Sequence, residues 1–545
     1  MTKQWVIREK VSENLEEQLL HYRNIKLVPD YEKDLLDPFL MLNMDKAVER
    51  ILEAIKNNER IIIFGDYDAD GVCASVIFHD FFKKIGFENF HVHIPDRHLD
   101  GYGLTLDSID EFKKQEAKLI ITLDCGITDY DEVEKANKLG IDVIIIDHHL
   151  PPEKLPNAFA IIDVKQKKDK YLFKDLCGTG VAFKVIQALI KKSEITPGWE
   201  KWLLDLVALA TIADMVPLTE ENRTLVFYGL QVLRKTKRPG LLSFYRRMEM
   251  APAHISEDDV SFTIAPRINV ASRMEHANTS FELLTTESSQ EADWISGRIE
   301  IMNKDRKILV ERILQEIDKK IEKESIVSVI VIGNLDWSVG VLGSTANRLM
   351  EKYNRPVFLW GKGERAKDIK GSCRSDGTVD LVELMKFLPE DIIYDFGGHA
   401  FAGGFSVKEE KTGDLEKEIL KAYKKTSKQK TENEILYIDK ELSLDEIDWD
   451  FYKIIEKFQP FGTGNPKPVF LFSDLEIKNI RKFGNGGIHL QLDFGSISAI
   501  GFFMSSSQGL SLEPGQKIDL VATLEKSFFR NNLELRLRII DVKLK

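Results

Sequence analysis

At 545 residues, with 43% hydrophobic and 30% charged residues, the chain is long enough for two to four soluble domains and unlike a disordered or fibrous sequence. Its longest apolar runs, such as Ile61 to Phe64 and Val143 to Ile146, fall far short of a membrane span. The opening MTKQWVIREK has no signal-peptide apolar region, so a cytoplasmic protein without membrane contact is expected. Cys73, Cys125, Cys177 and Cys373 lie far apart with no CxxC pair, which argues against a zinc knuckle or a disulfide framework. The net charge of -12 excludes a generally basic coat, yet 13 Lys and Arg face 9 Asp and Glu from Phe451 onward. An acidic body with a mildly basic tail suits a carboxylate-rich centre joined to a separate module that holds a polyanion.

After an opening stretch to about Met44, short apolar runs alternate with amphipathic ones, beginning with IIIFG and CASVIFHDFFKKI. Further predicted strands are FHVHI (90–94), KLIITL (118–123), DVIII (142–146) and AFAII (158–162). Their unbroken apolar character predicts an α/β fold with a doubly wound parallel sheet covered on both faces. From Ser289 to about Ser325 the chain has no proline and keeps helical spacing, which predicts a long connecting helix. A second, smaller α/β unit opens with SIVSVIVIG (325–333), and the polar run KKTSKQKTENE (424–434) reads as a linker. Beyond it, IHLQLDF, ISAIGFF and KIDLVATLE predict a small all-β domain, a barrel.

Three early strands end in acidic residues: IIIFG runs into Asp66, Asp68 and Asp70, ITL into Asp124, and VIII into Asp147, His148 and His149. The carboxyl ends of parallel strands face one crevice, so these groups converge although they are far apart in sequence. Asp214 closes a fourth, helix-like stretch, LLDLVALATIAD. A single strand-end aspartate is more often a helix cap, but three acidic strand ends with an Asp-His-His triplet make a wholly structural reading hard to sustain. So many carboxylates raise one another's pKa unless cations stand between them. Oxygen-rich ligation with one or two imidazoles favours two divalent cations, Mn²⁺ or Mg²⁺, over zinc.

Other stretches read less sharply. GGHAFAGG (397–404) is either a turn or a place where backbone approaches an anion, and GSCRS (371–375) either a turn or a phosphate cradle. In the tail, Phe483, Phe502, Phe503, Phe528 and Phe529 stand among Arg481, Lys482, Lys526 and Arg530. Most are expected in the core, with one or two exposed for base stacking.

FGDYDADG (64–71), LDCG (123–126), IDHH (146–149) and IADMVPL (212–218) resemble the four ordered motifs of the DHH phosphoesterases. PDRHLDGYGL (95–104), LCGTGVAFK (176–184), PRINVASRM (266–274), GSCRS, FGGHAFAGGF (396–405) and PFGTGNPKPVF (460–470) are similar to motifs of its RecJ exonuclease branch. The resemblance spans nearly the whole chain. It implies an N-terminal extension (1–45), a DHH catalytic domain (46–240), a helical connector (241–325), a DHH-associated domain (326–425) and an OB-type nucleic-acid-binding barrel (436–545).

The activity it implies is 5′→3′ hydrolysis of single-stranded DNA to mononucleotides, in repair and recombination, with a single-strand-binding protein or a helicase as partner. Asp66, Asp68, Asp70, Asp124, His148 and Asp214 become the implied metal ligands, with Asp124 bridging. Asp147 would orient an imidazole and His149 would point at the scissile phosphate. Arg97, Arg273, Ser372, Arg374, Gly397, Gly398 and His399 are the implied substrate-holding residues. Many relatives carry a histidine where this chain has Phe64, a place that Asp66 is expected to take over. The alternatives are a phosphodiesterase for short RNA or cyclic dinucleotides, which usually lacks such a barrel, and a non-catalytic nucleic-acid-binding scaffold, which the intact metal motifs disfavour.

Overall fold

The computed structural model describes residues 3–321, 328–362, 369–427, 435–484, 487–502, 504, 512–529 and 532–545. They form two compact units, Asp30–Lys430 and a second made of Met1–Pro29 with Thr431–Lys545. Among the described residues no helix is long and apolar enough to cross a membrane. All four cysteines are free and buried.

The larger unit is built on a five-stranded sheet in the order Phe90–His93, Ile61–Gly65, Leu119–Leu123, Asp142–Ile146, Ala160–Ile162. Every pairing in it is parallel. Side chains alternate between its faces, and each face has its own core. Ile61, Ile63, Ile121 and Ile144 join one, under the helices Met44–Lys56, Ala69–Lys84 and Gly178–Lys191. Ile62, Ile120 and Ile145 join the other, under Leu106–Lys114 and Tyr130–Lys138. Burial on both sides is why these strands are apolar without interruption. The helix Leu204–Ala213 is apolar all round and correspondingly buried from Leu204 to Ile212.

The predicted long helix spans Ser289–Ile321. Ala292, Ile295, Ile299 and Met302 pack on the first core, whereas Val310, Ile313 and Ile317 pack with Val341, Leu342 and Leu349 of the next layer. One rigid rod thus joins the two layers. The second sheet has the order Ile393–His399, Ala402–Val407, Ile369–Arg374, Val357–Gly361, Ile330–Gly333, parallel only between the last two. The run 424–434 begins inside the helix Thr412–Thr426 rather than as a linker, because Leu415, Ile419 and Ala422 anchor that helix to its core. Residues 428–434 lie outside the described ones.

The smaller unit carries a seven-stranded sheet that includes His489–Asp493, Ser498–Gly501, Lys517–Phe529 and Asn532–Leu544. Phe503, Arg530 and the side chains of Phe528 and Phe529 lie outside the described residues. The opening stretch 1–45 is divided between the units, its first 29 residues belonging here. Gln4–Ile7 pairs in parallel with Ile435–Ile438, Arg23 bridges to Asp439 at 3.1 Å, and Leu15 and Leu19 enter the core beside Leu442, Tyr452 and Phe458. Leu19 is fully buried, so Leu19→Ala should destabilise this unit by about 3 kcal/mol. Denaturant unfolding checks this; an unchanged midpoint for this unit would mean that its first residues only decorate it.

Candidate metal centre

The acidic strand ends of the parallel sheet meet above its carboxyl edge. Asp66 follows the strand Ile61–Gly65, and Asp68 caps the helix Ala69–Lys84, its Oδ1 accepting from the backbone N–H of Asp70 at 2.8 Å and of Gly71 at 3.1 Å. Capping engages that one oxygen, so the same carboxylate still has an acceptor to offer. Asp70 instead accepts from the first N–H groups of the helix Gly178–Lys191, Gly178 at 2.7 Å and Thr179 at 2.6 Å. Those donors have no partner within their own helix, and its dipole favours an anion there.

Asp124 holds a left-handed backbone with φ of 63°. Such a conformation in a non-glycine residue is a local cost of the kind found at functional sites. Facing it is Gly178, where a Cβ would stand 2.5 Å from Asp124 Oδ1, so the GTG start of that helix must be glycine for the two segments to approach. Asp214 closes the buried helix Leu204–Ala213.

Three sets of donor atoms result, each within 4.8 Å of one another: Asp124, His148 and His149; Asp70, His148 and Asp214; and Asp66, Asp68 and Asp124. Asp124 and His148 each belong to two sets. The Asp147 carboxylate is fully buried and orients a specific imidazole, that of His149: its Oδ1 accepts from His149 Nδ1 at 2.8 Å and from the His148 backbone N–H at 2.7 Å. Burial opposes charge on His149, but the hydrogen bond and charge of Asp147 lift its pKa to about 9, which favours the protonated ring.

Electrostatics show what the cluster could hold. Burial, reinforced by Asp68, raises the Asp66 carboxyl to about 8, and burial with Asp70 and Asp68 raises Asp214 to about 8. Asp124 is pushed up by burial and by Asp70, Asp68 and Asp66 together. Burial lowers His148 to about 4, leaving a neutral imidazole with one nitrogen lone pair to give. Asp66 Oδ1, Asp124 Oδ1 and His148 Nδ1 are buried without a hydrogen bond. His148 Nε2 and Asp124 Oδ1 stand 3.1 Å apart, yet that oxygen accepts no hydrogen bond. Unpaired oxygens and a neutral imidazole gathered in overlapping donor sets fit hard divalent cations, whose charge would keep the carboxylates ionised.

Phe64 takes no part in this. It is buried beside Leu104 and Phe112 on the other face of the sheet, with its ring stacked on His93 at a centroid distance of 5.4 Å. Phe64→His would set an imidazole into an apolar cluster, so we expect a loss of about 2 kcal/mol of stability and no gain in Mn²⁺ affinity. Thermal unfolding and calorimetric Mn²⁺ titration check both parts.

The basic candidates form a second cluster. Burial, then Arg97, Arg306 and Arg374, lower the pKa of Arg273 to about 9, a sign of crowded guanidinium groups. Arg97 also acts on Asp66 and Asp68, which places it between the two clusters. Ser372 and Arg374 lie against Gly343 of the helix Val339–Tyr353: a Cβ there would meet Arg374 at 3.2 Å and Ser372 at 3.6 Å. The antiparallel register places His399, Ala402 and Arg374 in one row, and Gly397, Gly404 and Ser372 in another. Gly397, Gly398 and His399 are exposed, and no described contact joins them to the carboxylates.

Several residues inside the quoted motifs were not singled out by sequence. The Tyr102 hydroxyl donates to the Asp124 carbonyl at 3.1 Å and stands 3.2 Å from His149 Nδ1. Asn269, in PRINVASRM, accepts from the Ala69 backbone N–H at 2.8 Å, and His98 Nε2 lies 3.2 Å from the Arg273 carbonyl. Lys165 donates to the His148 carbonyl and is in no quoted motif. Its only signal is its place just after a strand end, in IIDVK.

The description DHH family, N-terminal domain, matches residues 60–211; the DHHA1 domain matches 322–426 and the RecJ OB domain 438–541. The single-stranded-DNA-specific exonuclease RecJ of Bacillus subtilis (strain 168) is 34% identical over 94% of this chain, which spans 64% of that relative's length. The RecJ of Salmonella typhimurium is 32% identical over 78% of this chain and 77% of its own, and that of Thermus thermophilus 30% identical over 94% and 73%. The crystal structure of Thermus thermophilus RecJ in complex with Mn²⁺ matches with a TM-score of 0.80 and 26% identity, covering 99% of this chain and 80% of that one. A crystal structure of exonuclease RecJ bound to manganese matches at a TM-score of 0.61 and 30% identity, over 73% of this chain and 96% of that one. Motif order, sheet topology, carboxylate geometry and these similarities agree: the chain belongs to the RecJ family of single-stranded-DNA-specific exonucleases.

Proposed function

We propose that this chain hydrolyses single-stranded DNA from its 5′ end to 5′-mononucleotides, using two divalent cations, Mn²⁺ or Mg²⁺, in DNA repair and recombination. The observation that carries this reading is the convergence of Asp66, Asp68, Asp70, Asp124, His148 and Asp214, with buried donor atoms that lack partners. These six residues make up two of the sets and would hold the ions; Asp124, whose Oδ1 stands 3.1 Å from His148 Nε2 of the other set, is the carboxylate placed to serve both. Bound there, the ions supply hydroxide at neutral pH and neutralise charge on the phosphoryl oxygens. His149, kept charged and oriented by Asp147, donates to a phosphate oxygen as negative charge builds there. Arg97, Arg273, Ser372 and Arg374 hold the strand's terminal phosphate, and the GGH hairpin flanks them through its register with the GSCRS strand.

In the smaller unit, His489 lies between Phe483 and Phe502, at 5.1 and 5.2 Å between ring centroids, and Arg538 sits 4.9 Å from the Phe502 ring centre. This partly exposed group is the base-stacking platform we favour. A single-strand-binding protein or a helicase is the natural partner, because the substrate must first be unwound, and such work belongs in the cytoplasm. Digestion of strands labelled at either end, as DNA and as RNA, tests the proposal in Mn²⁺. Release of labelled mononucleotide from the 5′ end of DNA is expected. Release from the 3′ end, or a preference for RNA or cyclic dinucleotides, would replace it by one of the alternative activities.

A further inference from the structure

The strand Ala160–Ile162 runs into a lysine-rich loop beside the carboxylates. In VKQKKDKYLFK (164–174), Lys165, Lys167, Lys168, Lys170 and Lys174 stand together in a chain whose net charge is -12. The inward positions fix the loop's shape: Gln166, Tyr171 and Phe173 are buried, and Gln166 Nε2 donates to the Ile161 carbonyl at 3.0 Å. Asp169, the one carboxylate in the loop, has a fully buried side chain. It accepts from the backbone N–H of Leu42 at 2.8 Å and of Tyr171 at 2.7 Å, and pairs with Lys174 at 3.1 Å. Lys167, Lys168 and Lys170 are exposed on the outer side and make no ion pair with any described residue.

The loop begins at one end of the carboxylate cluster. Lys165 Nζ donates to the His148 carbonyl, and His148 Nδ1 stands 3.8 Å from Asp214 Oδ2. An ammonium has three donors, so that bond leaves two. The basic cluster proposed to hold the terminal phosphate begins at the other end, where Arg97 lies 4.8 Å from the ring centre of Tyr67, the residue between Asp66 and Asp68. A strand whose first phosphate rests on Arg97, with its scissile phosphodiester over the carboxylates, therefore leaves past Lys165. Leu150 and Met215, which directly follow His149 and Asp214, are exposed and carry no charge to repel it.

We propose that this loop holds the phosphodiesters on the 3′ side of the scissile bond, Lys165 the nearest and Lys167, Lys168 and Lys170 those beyond it. Strands long enough to reach the loop are then preferred over a dinucleotide. The inference rests on the function proposed above, which sets where the scissile phosphate lies. The lysines set the sign of the ligand, and continuity with the carboxylate cluster sets its class, because a strand under hydrolysis is already anchored at this exit. Ammonium groups meet phosphates as point charges, and backbone contacts carry no sequence information, so the loop adds affinity without selecting bases. Its anchored inner side keeps the three outer lysines in place, which lowers the ordering cost of binding.

The test compares the full chain with a variant carrying Lys167→Gln, Lys168→Gln and Lys170→Gln together, which leaves Lys165 and the buried side of the loop intact. Binding is followed in EDTA by fluorescence anisotropy of a 5′-phosphorylated single strand of about eight nucleotides, labelled at its 3′ end. Each phosphate neutralised on a single strand contributes roughly -0.7 to the slope of log K against log salt, so the variant should lose about 2 of that slope and bind about tenfold more weakly. In Mn²⁺, the ratio of kcat/KM on this strand to kcat/KM on a 5′-phosphorylated dinucleotide should also fall about tenfold. A variant that merely folds poorly would lose both rates and keep their ratio. An unchanged salt slope overturns the proposal, and so does an unchanged ratio. If the parent chain hydrolyses neither substrate, the function proposed above falls, and the salt slope alone decides whether the loop holds a strand.

Discussion

Replacing Asp124 by alanine or asparagine is expected to reduce hydrolysis of single-stranded DNA at least about 10³-fold, in Mn²⁺ and Mg²⁺ alike. A carboxylate shared by two ions serves both halves of a two-metal centre, worth several kcal/mol of transition-state stabilisation, and about 4 kcal/mol corresponds to that factor. The asparagine variant is the cleaner one. Asp124 has φ of 63°, which asparagine tolerates and alanine tolerates less well, so any fold penalty should be confined to alanine. Neither change should unfold the protein, because burial and the crowding of Asp70, Asp68 and Asp66 disfavour the Asp124 carboxylate, and removing it relieves that repulsion. Single-turnover digestion, calorimetric Mn²⁺ titration and thermal unfolding together decide the matter. Near-normal turnover with undiminished Mn²⁺ binding in Asp124→Asn would remove Asp124 from the centre.

The second large effect concerns how an end is told from a continuous strand. A terminal 5′ phosphate is a chemical group that a pocket can recognise, and the crowded guanidinium groups of Arg97, Arg273 and Arg374 stand ready for a dianion. Arg273 in particular has its pKa lowered to about 9 by burial and by its neighbours, a cost that a bound phosphate would reverse. A 5′-phosphorylated strand should therefore be degraded faster than a 5′-hydroxyl strand. Arg374→Ala should cut the rate on the phosphorylated strand about 10- to 100-fold and abolish the preference, since each charge-assisted hydrogen bond is worth roughly 1.5–3 kcal/mol. Competition between the two strands in one reaction measures this directly. An unaltered preference in Arg374→Ala would mean that Arg374 is a structural residue and that the end is held elsewhere.

Much of this was legible in sequence because it depends on local pattern. The unbroken apolar strands announced a sheet covered on both faces, and Asp66, Asp124 and Asp147, each directly after a strand, had to meet at one edge once that sheet was parallel. The long helix was equally readable from its spacing and lack of proline. What sequence could not assign were relations set by packing between distant segments. That the first 29 residues build the core of the C-terminal unit follows from their pairing with Ile435–Ile438 and from Leu15 and Leu19, which carry no distinguishing pattern. That Phe64 faces away from the ligands is a consequence of strand pleating, and that Gly178 must be glycine follows from the approach of two segments 54 residues apart. Lys165 and Tyr102 reach the centre through side-chain hydrogen bonds to backbone carbonyls, Tyr102 also standing beside His149, and such bonds leave no periodic trace. Residue type and period determine which groups lie at a strand end or on a helix face. Only the tertiary structure determines which two of those faces meet, because burial is a property of both partners at once.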